Sequence, residues 1–189
     1  MDPDPPSTIS VTVGARAWRT HLPDPKRICR HAARATLDQF SSTPWLARAE
    51  IGIRLDDDAT VRRLNAAHRG KDRATDVLSF PTFDRILEAA PGHLPTGPLP
   101  LGDVVLALET VRADAEAAAK SLADHVSHLV VHGCLHLLGY DHQNAGDAEL
   151  MEGIERRILD RLGIADPYAA DRGRPASVAG GMQVLENAL

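Results

Sequence analysis

The stretch that decides the fold is His132-Gly133-Cys134-Leu135-His136-Leu137-Leu138-Gly139-Tyr140-Asp141-His142, which carries three of the nine histidines of the chain. His132 and His136 are four residues apart, so on a helix their side chains are neighbours with Cβ atoms about 5–6 Å apart. Gly139 can take the left-handed conformation that ends a helix and turns the chain, which would bring His142 towards the same point. Three neutral imidazoles suit zinc, and a tetrahedral ion with three protein ligands keeps one position for water or substrate. The spacing therefore predicts a catalytic site with one Zn²⁺.

The residues before this stretch predict the helix that carries it. Ser121 followed by Asp124 is a variant of the capping box, and it predicts a helix that runs to Leu138. Four histidines of this helix fall within about 80° of one another at 100° per residue: His125, His128, His132 and His136. We interpret His125 and His128 as core histidines, because they have no third partner at metal-ligand spacing.

Around this helix, short strands and helices alternate along the chain. Residues 9–13, 51–55, 77–80 and 104–108 have the apolar patterns of strands. Helices are predicted from Pro25 onward, after an N-cap at Asp24, from the acidic run 56–58 to Gly70, and over residues 109–119 and 146–162. Strands mixed with helices predict a single compact α+β domain, a small mixed β-sheet packed with helices.

Composition predicts the boundaries of this domain. We expect residues 1–8 to be a flexible N-terminus, residues 9–163 to form the domain and residues 164–189 to be a C-terminal tail in which Pro, Gly and Ala dominate without periodicity. Residues 84–100 contain four Pro and two Gly, which is too many helix and strand breakers for a regular element. We therefore expect an exposed insertion or flap there.

Composition also limits the class of protein. The 189 residues include 43% hydrophobic and 25% charged residues, as in a soluble globular protein. The chain contains no run of 18 apolar residues that would span a membrane, and its first residues lack the features of a secretory signal. The two cysteines are far apart and form no cluster. These features favour a cytoplasmic protein.

The charge is unevenly distributed. The formal net charge of −5 argues against a nucleic-acid partner. However, residues 16–34 hold six basic and one acidic side chain, and residues 62–73 hold five and one. Two such basic segments on an acidic chain can contact phosphates, which keeps RNA among the possible partners.

The spacing of the three histidines is also that of metzincin peptidases. Those enzymes carry a Glu directly after the first His as the general base, whereas this chain has Gly133 there. A glycine cannot take a proton from water, so the usual peptidase mechanism lacks its base. A peptidase that uses another base remains an alternative.

The histidine stretch resembles the YbeY-type endoribonucleases, which are bacterial rRNA maturation factors with the hallmark HGxLHLxGYDH. Residues 132–142 match it at every fixed position. Upstream, Leu64-Asn65, Arg69, Asp72 and residues 75–81 resemble the LN…R…D…TDVLSFP segment of that family, and residues 101–105 resemble its LGDIVI strand. The departures are Ala74 in place of a proline, the segment 84–100 and the tail.

The resemblance implies a fold and a set of functional residues. The fold would have the zincin-like topology of metal-dependent hydrolases. His132, His136 and His142 would bind zinc, with His132, His136 and Arg69 as catalytic residues. From its position we also expect Asp141 to accept an imidazole N–H of a ligand histidine and so fix the orientation of the ring.

Our leading hypothesis is a zinc-dependent, single-strand-specific endoribonuclease that acts in small-subunit rRNA maturation and ribosome quality control. Its partners would be rRNA and the small ribosomal subunit. Two alternatives are the zinc metallopeptidase with a non-standard base and a ribosome-assembly factor that cuts no bond. The missing Glu disfavours the peptidase, and the basic segments favour RNA over peptide.

Overall fold

The structure is a computed structural model that describes residues 7–89, 94–169 and 183–184. Its strands are β1 (Thr8–Val13), β2 (Ala49–Asp56), β3 (Val77–Pro81), β4 (Leu99–Ala107) and β5 (Gln183–Val184). They form a sheet in the order β1-β2-β4-β3-β5. Strands β1, β2 and β4 are parallel, β3 is antiparallel to β4, and the short β5 is parallel to β3. The predicted mixed sheet is confirmed.

The helices are α1 (Trp18–His21), α2 (Pro25–Gln39), α3 (Asp58–Arg69), α4 (Leu108–Ala117), α5 (Leu122–Leu137) and α6 (Ala145–Arg161). The Asp24 carboxylate accepts the Arg27 backbone N–H at 3.0 Å and starts α2. Gly70 ends α3 with a φ of 65°. The predicted helices are confirmed, whereas α1 and the 3₁₀ turns Pro44–Arg48 and Ile86–Glu88 are too short for a periodic signal. In the part of the chain that the structure describes, no helix combines the length and the apolar character needed to cross a membrane.

The sheet separates two layers of helices. Successive side chains of a strand point to opposite faces, so Val104 and Leu106 of β4 join the main core with α2 and α5. Val105 instead packs with Val61 of α3 on the other face. Helix α6 covers the outer side of α5. Because α5 lies between the sheet and α6, all of its residues from His125 to Leu137 are buried.

The prediction for β4 was wrong at both ends. The strand begins at Leu99, five residues earlier than expected, and Leu108 already belongs to α4. Glu50 pairs with Pro100 and Ile51 with Gly102, which leaves Leu101 as an extra residue in a bulge. Bulges are positions at which strands accommodate proline and glycine, so these two residues concealed the strand.

The segment 84–100 is less exposed and shorter than predicted. Ile86 is fully buried, and residues 99 and 100 are part of β4. The Arg48 guanidinium donates to the Gly97 carbonyl oxygen at 2.6 Å, which fixes the far end of the segment. Residues 90–93 lie outside the described residues.

The domain boundaries at residues 8/9 and 163/164 stay predictions. Thr8 already belongs to β1, and the Ser7 carbonyl oxygen accepts a hydrogen bond from Arg34 at 3.0 Å. At the other end, Ile164 packs against the core. The rest of the predicted flexible N-terminus, residues 1–6, and most of the predicted tail, residues 170–182 and 185–189, lie outside the described residues.

Candidate metal centre

The four histidines of α5 form a buried row between the sheet and α6. His125 and His128 are 9% and 7% exposed, and His132 and His136 are 2% exposed. The N-cap predicted for this helix is confirmed, because the Ser121 hydroxyl oxygen accepts the Asp124 backbone N–H at 3.0 Å. The last two histidines of the row lie in the final turns of α5, next to the loop that follows.

Three histidine rings converge at the C-terminal end of α5. The Nε2 atoms of His132 and His136 are 2.7 Å apart. The chain then turns at Gly139, where φ is 93°, and brings the His142 ring centroid to 5.4 Å from that of His132 and 5.1 Å from that of His136. One ligand atom from each residue lies within 4.8 Å of the other two. The three residues can therefore hold one metal ion.

The hydrogen bonds on the far side of the rings show which nitrogens are free to bind it. Nδ1 of His132 is 2.7 Å from a carboxylate oxygen of Glu155, and Nδ1 of His136 is 2.7 Å from the Tyr140 carbonyl oxygen. Both oxygens only accept hydrogen bonds, so each Nδ1 carries the proton. In the neutral rings both Nε2 atoms then carry lone pairs, which face each other at hydrogen-bond distance. A cation bound by both atoms would remove the repulsion between these lone pairs.

The third ring contributes another buried acceptor. Among the described residues, Nε2 of His142 has no hydrogen-bond partner although it is shielded from solvent. Buried polar atoms are normally satisfied, and an unpartnered ring nitrogen beside two other imidazoles fits a metal ligand. The donor set of three imidazoles is one that Zn²⁺ accepts.

The electrostatics of the site keep the His132 and His136 rings neutral. Burial lowers the pKa of His136 to about 2, with a further contribution from the neighbouring His132. Burial also lowers the pKa of His132, although Glu155 opposes this shift. For the Glu155 carboxyl, burial raises the pKa, but His132 and the hydrogen bond from His128 outweigh it and lower the pKa overall. Neutral imidazoles beside an ionised carboxylate are the state that metal binding requires.

Gly133 occupies the position at which a metzincin carries its general base. A Cβ atom at residue 133 would lie 2.7 Å from Cγ1 of Val104 and 3.1 Å from Oγ of Ser79. The position therefore faces the sheet in a close contact, and a glutamate does not fit there. In the described ranges, no fourth His, Cys, Asp or Glu joins the group of three.

A cavity of about 860 Å³ lies beside His136. One wall comes from the segment after β3, with Phe83 and Arg85, and the other from the turn after α5 and from Leu150 of α6. Four acidic side chains also line it, namely Asp84, Glu88, Asp141 and Asp147. A substrate can approach the histidine cluster through this cavity.

The family model described as Endoribonuclease YbeY matches residues 18–163 of the chain. The match includes all three histidines and most of the described fold. The chain belongs to the YbeY endoribonuclease family.

Several proteins named Endoribonuclease YbeY are similar to the chain. The protein of Paramagnetospirillum magneticum is 48% identical over 160 residues, which cover 85% of this chain and 94% of the relative. The protein of Ruegeria pomeroyi is 46% identical over 171 residues, which cover 87% and 99%. The protein of Rhizobium etli is 53% identical over 119 residues, which cover 63% of this chain and 66% of the relative, just under two thirds of its length.

A solved structure supports the fold. The solution structure of a protein from Thermotoga maritima superimposes with a TM-score of 0.51, and the match covers 92% of this chain and 99% of the other. The two chains are 20% identical, so this similarity concerns the fold alone.

Arg69, the arginine that the YbeY resemblance points to, lies at the C-terminal end of α3 on the other face of the sheet from α5. The preceding His68 packs edge-on against Phe80, with ring centroids 5.2 Å apart, and the next residue along β3, Pro81, lines the cavity. Burial lowers the pKa of Arg69. Arg69 is not among the described residues that line the cavity, and its catalytic role stays a prediction.

Asp141 contacts the backbone of a candidate metal ligand. Its carboxylate accepts the backbone N–H of His142 at 2.7 Å. The acceptors for the Nδ1 atoms of His132 and His136 are Glu155 and the Tyr140 carbonyl group, so Asp141 does not have the expected role for these two rings. A role for the His142 ring stays a prediction.

Sequence analysis missed two residues of this YbeY site, Glu155 and Tyr168. Glu155 lies in α6 and is fully buried among Met151, Ile154 and Ile158. The sequence does contain a signal for Glu155, because this residue lies on the apolar stripe of its helix. Carboxylates are rarely buried unless they are paired, so a glutamate at such a position indicates a buried partner. Tyr168 follows α6 in the segment interpreted as a tail, where no periodicity marks it.

Proposed function

We propose that the chain is a metal-dependent endoribonuclease that cleaves single-stranded RNA, with one Zn²⁺ bound by His132, His136 and His142. The observation that carries this proposal is the 2.7 Å separation of the His132 and His136 Nε2 atoms, beside a third buried nitrogen without a partner among the described residues. Membership in a family of proteins named endoribonucleases supports RNA as the substrate.

The residues of the chain have distinct tasks in such a reaction. When bound, the ion would supply Lewis acidity towards a phosphoryl oxygen. Glu155 and the Tyr140 carbonyl group hold two of the ligand rings in the metal-binding tautomer. We assign the cavity beside His136 to the scissile phosphodiester. We assign Arg69 to binding phosphate oxygens, because its planar fork can bind two of them at once.

The biological substrate that we propose is rRNA of the small ribosomal subunit, processed in the cytoplasm. Sequence motifs of the family and the basic segments 16–34 and 62–73 support it. The close contact of residue 133 with the sheet leaves the peptidase alternative without its usual base.

An RNA cleavage assay tests the proposal. Purified protein loaded with Zn²⁺ should cut a single-stranded fragment of small-subunit rRNA, and a chelator should stop the reaction. His136→Ala should lose both zinc and cleavage. Arg69→Ala should keep zinc and cleave at least tenfold more slowly, whereas Arg112→Ala, which removes an exposed arginine of α4 outside both basic segments, should cleave normally.

The possible outcomes separate the hypotheses. Full cleavage by His136→Ala would exclude the metal site as the catalytic centre. Chelator-sensitive cleavage of an unfolded protein substrate would favour the peptidase. Binding to the small ribosomal subunit with no turnover of RNA or protein would favour the assembly factor.

A further inference from the structure

The strongest unexplained feature beyond the three ligands is a buried carboxylate that connects three other side chains. Glu155 of α6 is fully buried. One of its oxygens, Oε1, accepts from Nδ1 of His132 at 2.7 Å. The other, Oε2, lies 3.2 Å from Nε2 of His128 and also accepts a hydrogen bond from the Tyr168 hydroxyl group.

We propose that Glu155 is the positioning residue for His132 and that Tyr168 completes the metal site by holding the second oxygen of Glu155. This inference rests on the proposed metal function. It assigns a role to Tyr168, which lies beyond the family match at residues 18–163.

The arrangement has the chemistry of a support for a metal ligand. A buried carboxylate is tolerated when hydrogen-bond donors surround it, and the three side chains around Glu155 can each supply an N–H or O–H. A carboxylate that holds the Nδ1–H of a ligand histidine fixes the tautomer, the ring orientation and the basicity of the other nitrogen. With both oxygens engaged, Glu155 cannot turn away from His132.

The segment after α6 is held in place to deliver Tyr168. The Asp166 carboxylate accepts the Tyr168 backbone N–H at 2.9 Å. Lys120, between α4 and α5, donates to the Pro167 carbonyl oxygen at 3.2 Å. The Tyr168 ring stands edge-on to His128, with centroids 5.6 Å apart and an interplanar angle of 89°. The first residues after α6 are thus part of the site rather than a separate tail.

Zinc affinity measures the effect of this support. The full-length protein and its variants would be titrated with Zn²⁺ against a chromophoric chelator. Glu155→Ala should bind Zn²⁺ about 10–100-fold more weakly, which is the usual effect of removing such a partner. Glu155→Gln should recover much of the affinity, because its amide oxygen can still accept the Nδ1–H of His132. Tyr168→Phe should weaken binding several-fold.

Glu149→Gln is the control. This residue lies on the same helix and is exposed. Its substitution removes the same charge without contact to His132, so the zinc affinity should not change. Circular dichroism and thermal unfolding would show that each variant is folded.

A second measurement determines the tautomer of His132 in the metal-free protein. If Glu155 had only a structural role, its substitution would not change this tautomer. Long-range ¹H–¹⁵N spectra should show the proton on Nδ1 in the wild type, and a mixture with the Nε2–H form in Glu155→Ala. If Glu155→Ala does not fold, Tyr168→Phe tests the inference instead, and it should show a smaller increase of the Nε2–H form of His132.

Wild-type zinc affinity and an unchanged His132 tautomer in the folded variants would overturn the inference. The RNA assay is independent of both measurements. A wild-type protein that cleaves no RNA, while Glu155→Ala loses zinc affinity, would refute the proposed function and leave the positioning role in place. A wild-type protein that binds no zinc would refute the metal site, and the tautomer alone would then decide the role of Glu155.

Discussion

His125 is the buried histidine of α5 whose two ring nitrogens both lack hydrogen-bond partners among the described residues. It is 9% exposed. Burial, with a smaller contribution from the nearby His128, lowers its pKa to about 4. The folded protein therefore keeps this ring neutral well below the pKa of about 6.5 that a histidine has in an unfolded chain.

This difference predicts a loss of stability in acid. Between about pH 6.5 and 4 the unfolded chain binds a proton at His125 that the folded chain does not, so the free energy of unfolding falls as the pH falls. Each pH unit in that interval is worth up to about 1.4 kcal/mol. Between pH 7 and pH 5, the free energy of unfolding of His125→Leu should therefore fall by up to about 2 kcal/mol less than that of the wild type.

Urea unfolding at the two pH values, with a chelator present, measures this effect. His31→Leu, which removes an exposed histidine of α2, should keep the pH dependence of the wild type. Equal pH dependence in His125→Leu and the wild type would contradict the prediction.

Single residues show how far the sequence reaches at this scale. The spacing of His132, His136 and His142 was sufficient to predict that the rings converge, because helix geometry and a turn at Gly139 place them. His128 was interpreted as a core histidine and is buried, but it contacts Glu155 at 3.2 Å. That contact joins residues 27 positions apart, and no local pattern encodes it.

The contact between α5 and the sheet depends on Gly133. A Cβ atom there would lie 2.7 Å and 3.0 Å from the two methyl groups of Val104, and a valine in a central strand has little freedom to move. Helix α5 can thus approach β3 and β4 closely only with glycine at this position.

Gly133→Ala should lower the free energy of unfolding by about 1–3 kcal/mol, the usual cost of overpacking a core, although alanine is the better helix former. Gly153→Ala on α6 is the matched control, because the nearest atom to its Cβ would be 3.7 Å away. It should stabilise the protein by about 0.5–1 kcal/mol. Urea unfolding compares the two, and stabilisation by both substitutions would show that α5 does not need the glycine.

At the scale of helices and strands, caps and periodicity predicted most elements. Ser121, Asp24 and Gly70 act within a few residues of themselves, so their effect is readable from the chain. The beginning of β4 could not be predicted from the chain, because Pro100 and Gly102 disturb the alternation of apolar and polar residues. Only pairing with β2, with Leu101 in a bulge, makes those residues a strand.

The proposed metal ion connects two parts of the whole molecule. His132 and His136 belong to α5, whereas His142 lies in the loop before α6. A ligand that binds only the folded protein stabilises it by about 2.7 kcal/mol at a free concentration 100 times its dissociation constant. We therefore expect Zn²⁺ to raise the midpoint of thermal unfolding by several degrees and a chelator to reverse the change.

Differential scanning calorimetry with and without Zn²⁺ measures this shift. His142→Ala should show a much smaller shift than the wild type, because it keeps only two ligands. His21→Ala, which removes an exposed histidine of α1, should shift like the wild type. A full shift in His142→Ala would place the bound ion elsewhere.

The amino-acid sequence alone determined the α+β class, most helix ends and the three converging imidazoles. These features depend on helix periodicity, caps and turns, which act between residues close together in the chain. Tertiary structure alone decided the strand order, the bulge in β4, and the contacts of Glu155 with His132 and Tyr168. Glu155 and His132 are 23 positions apart in the chain, and Glu155 and Tyr168 are 13 positions apart. Their partners are chosen by how the helices pack on the sheet, and packing is a property of the folded chain.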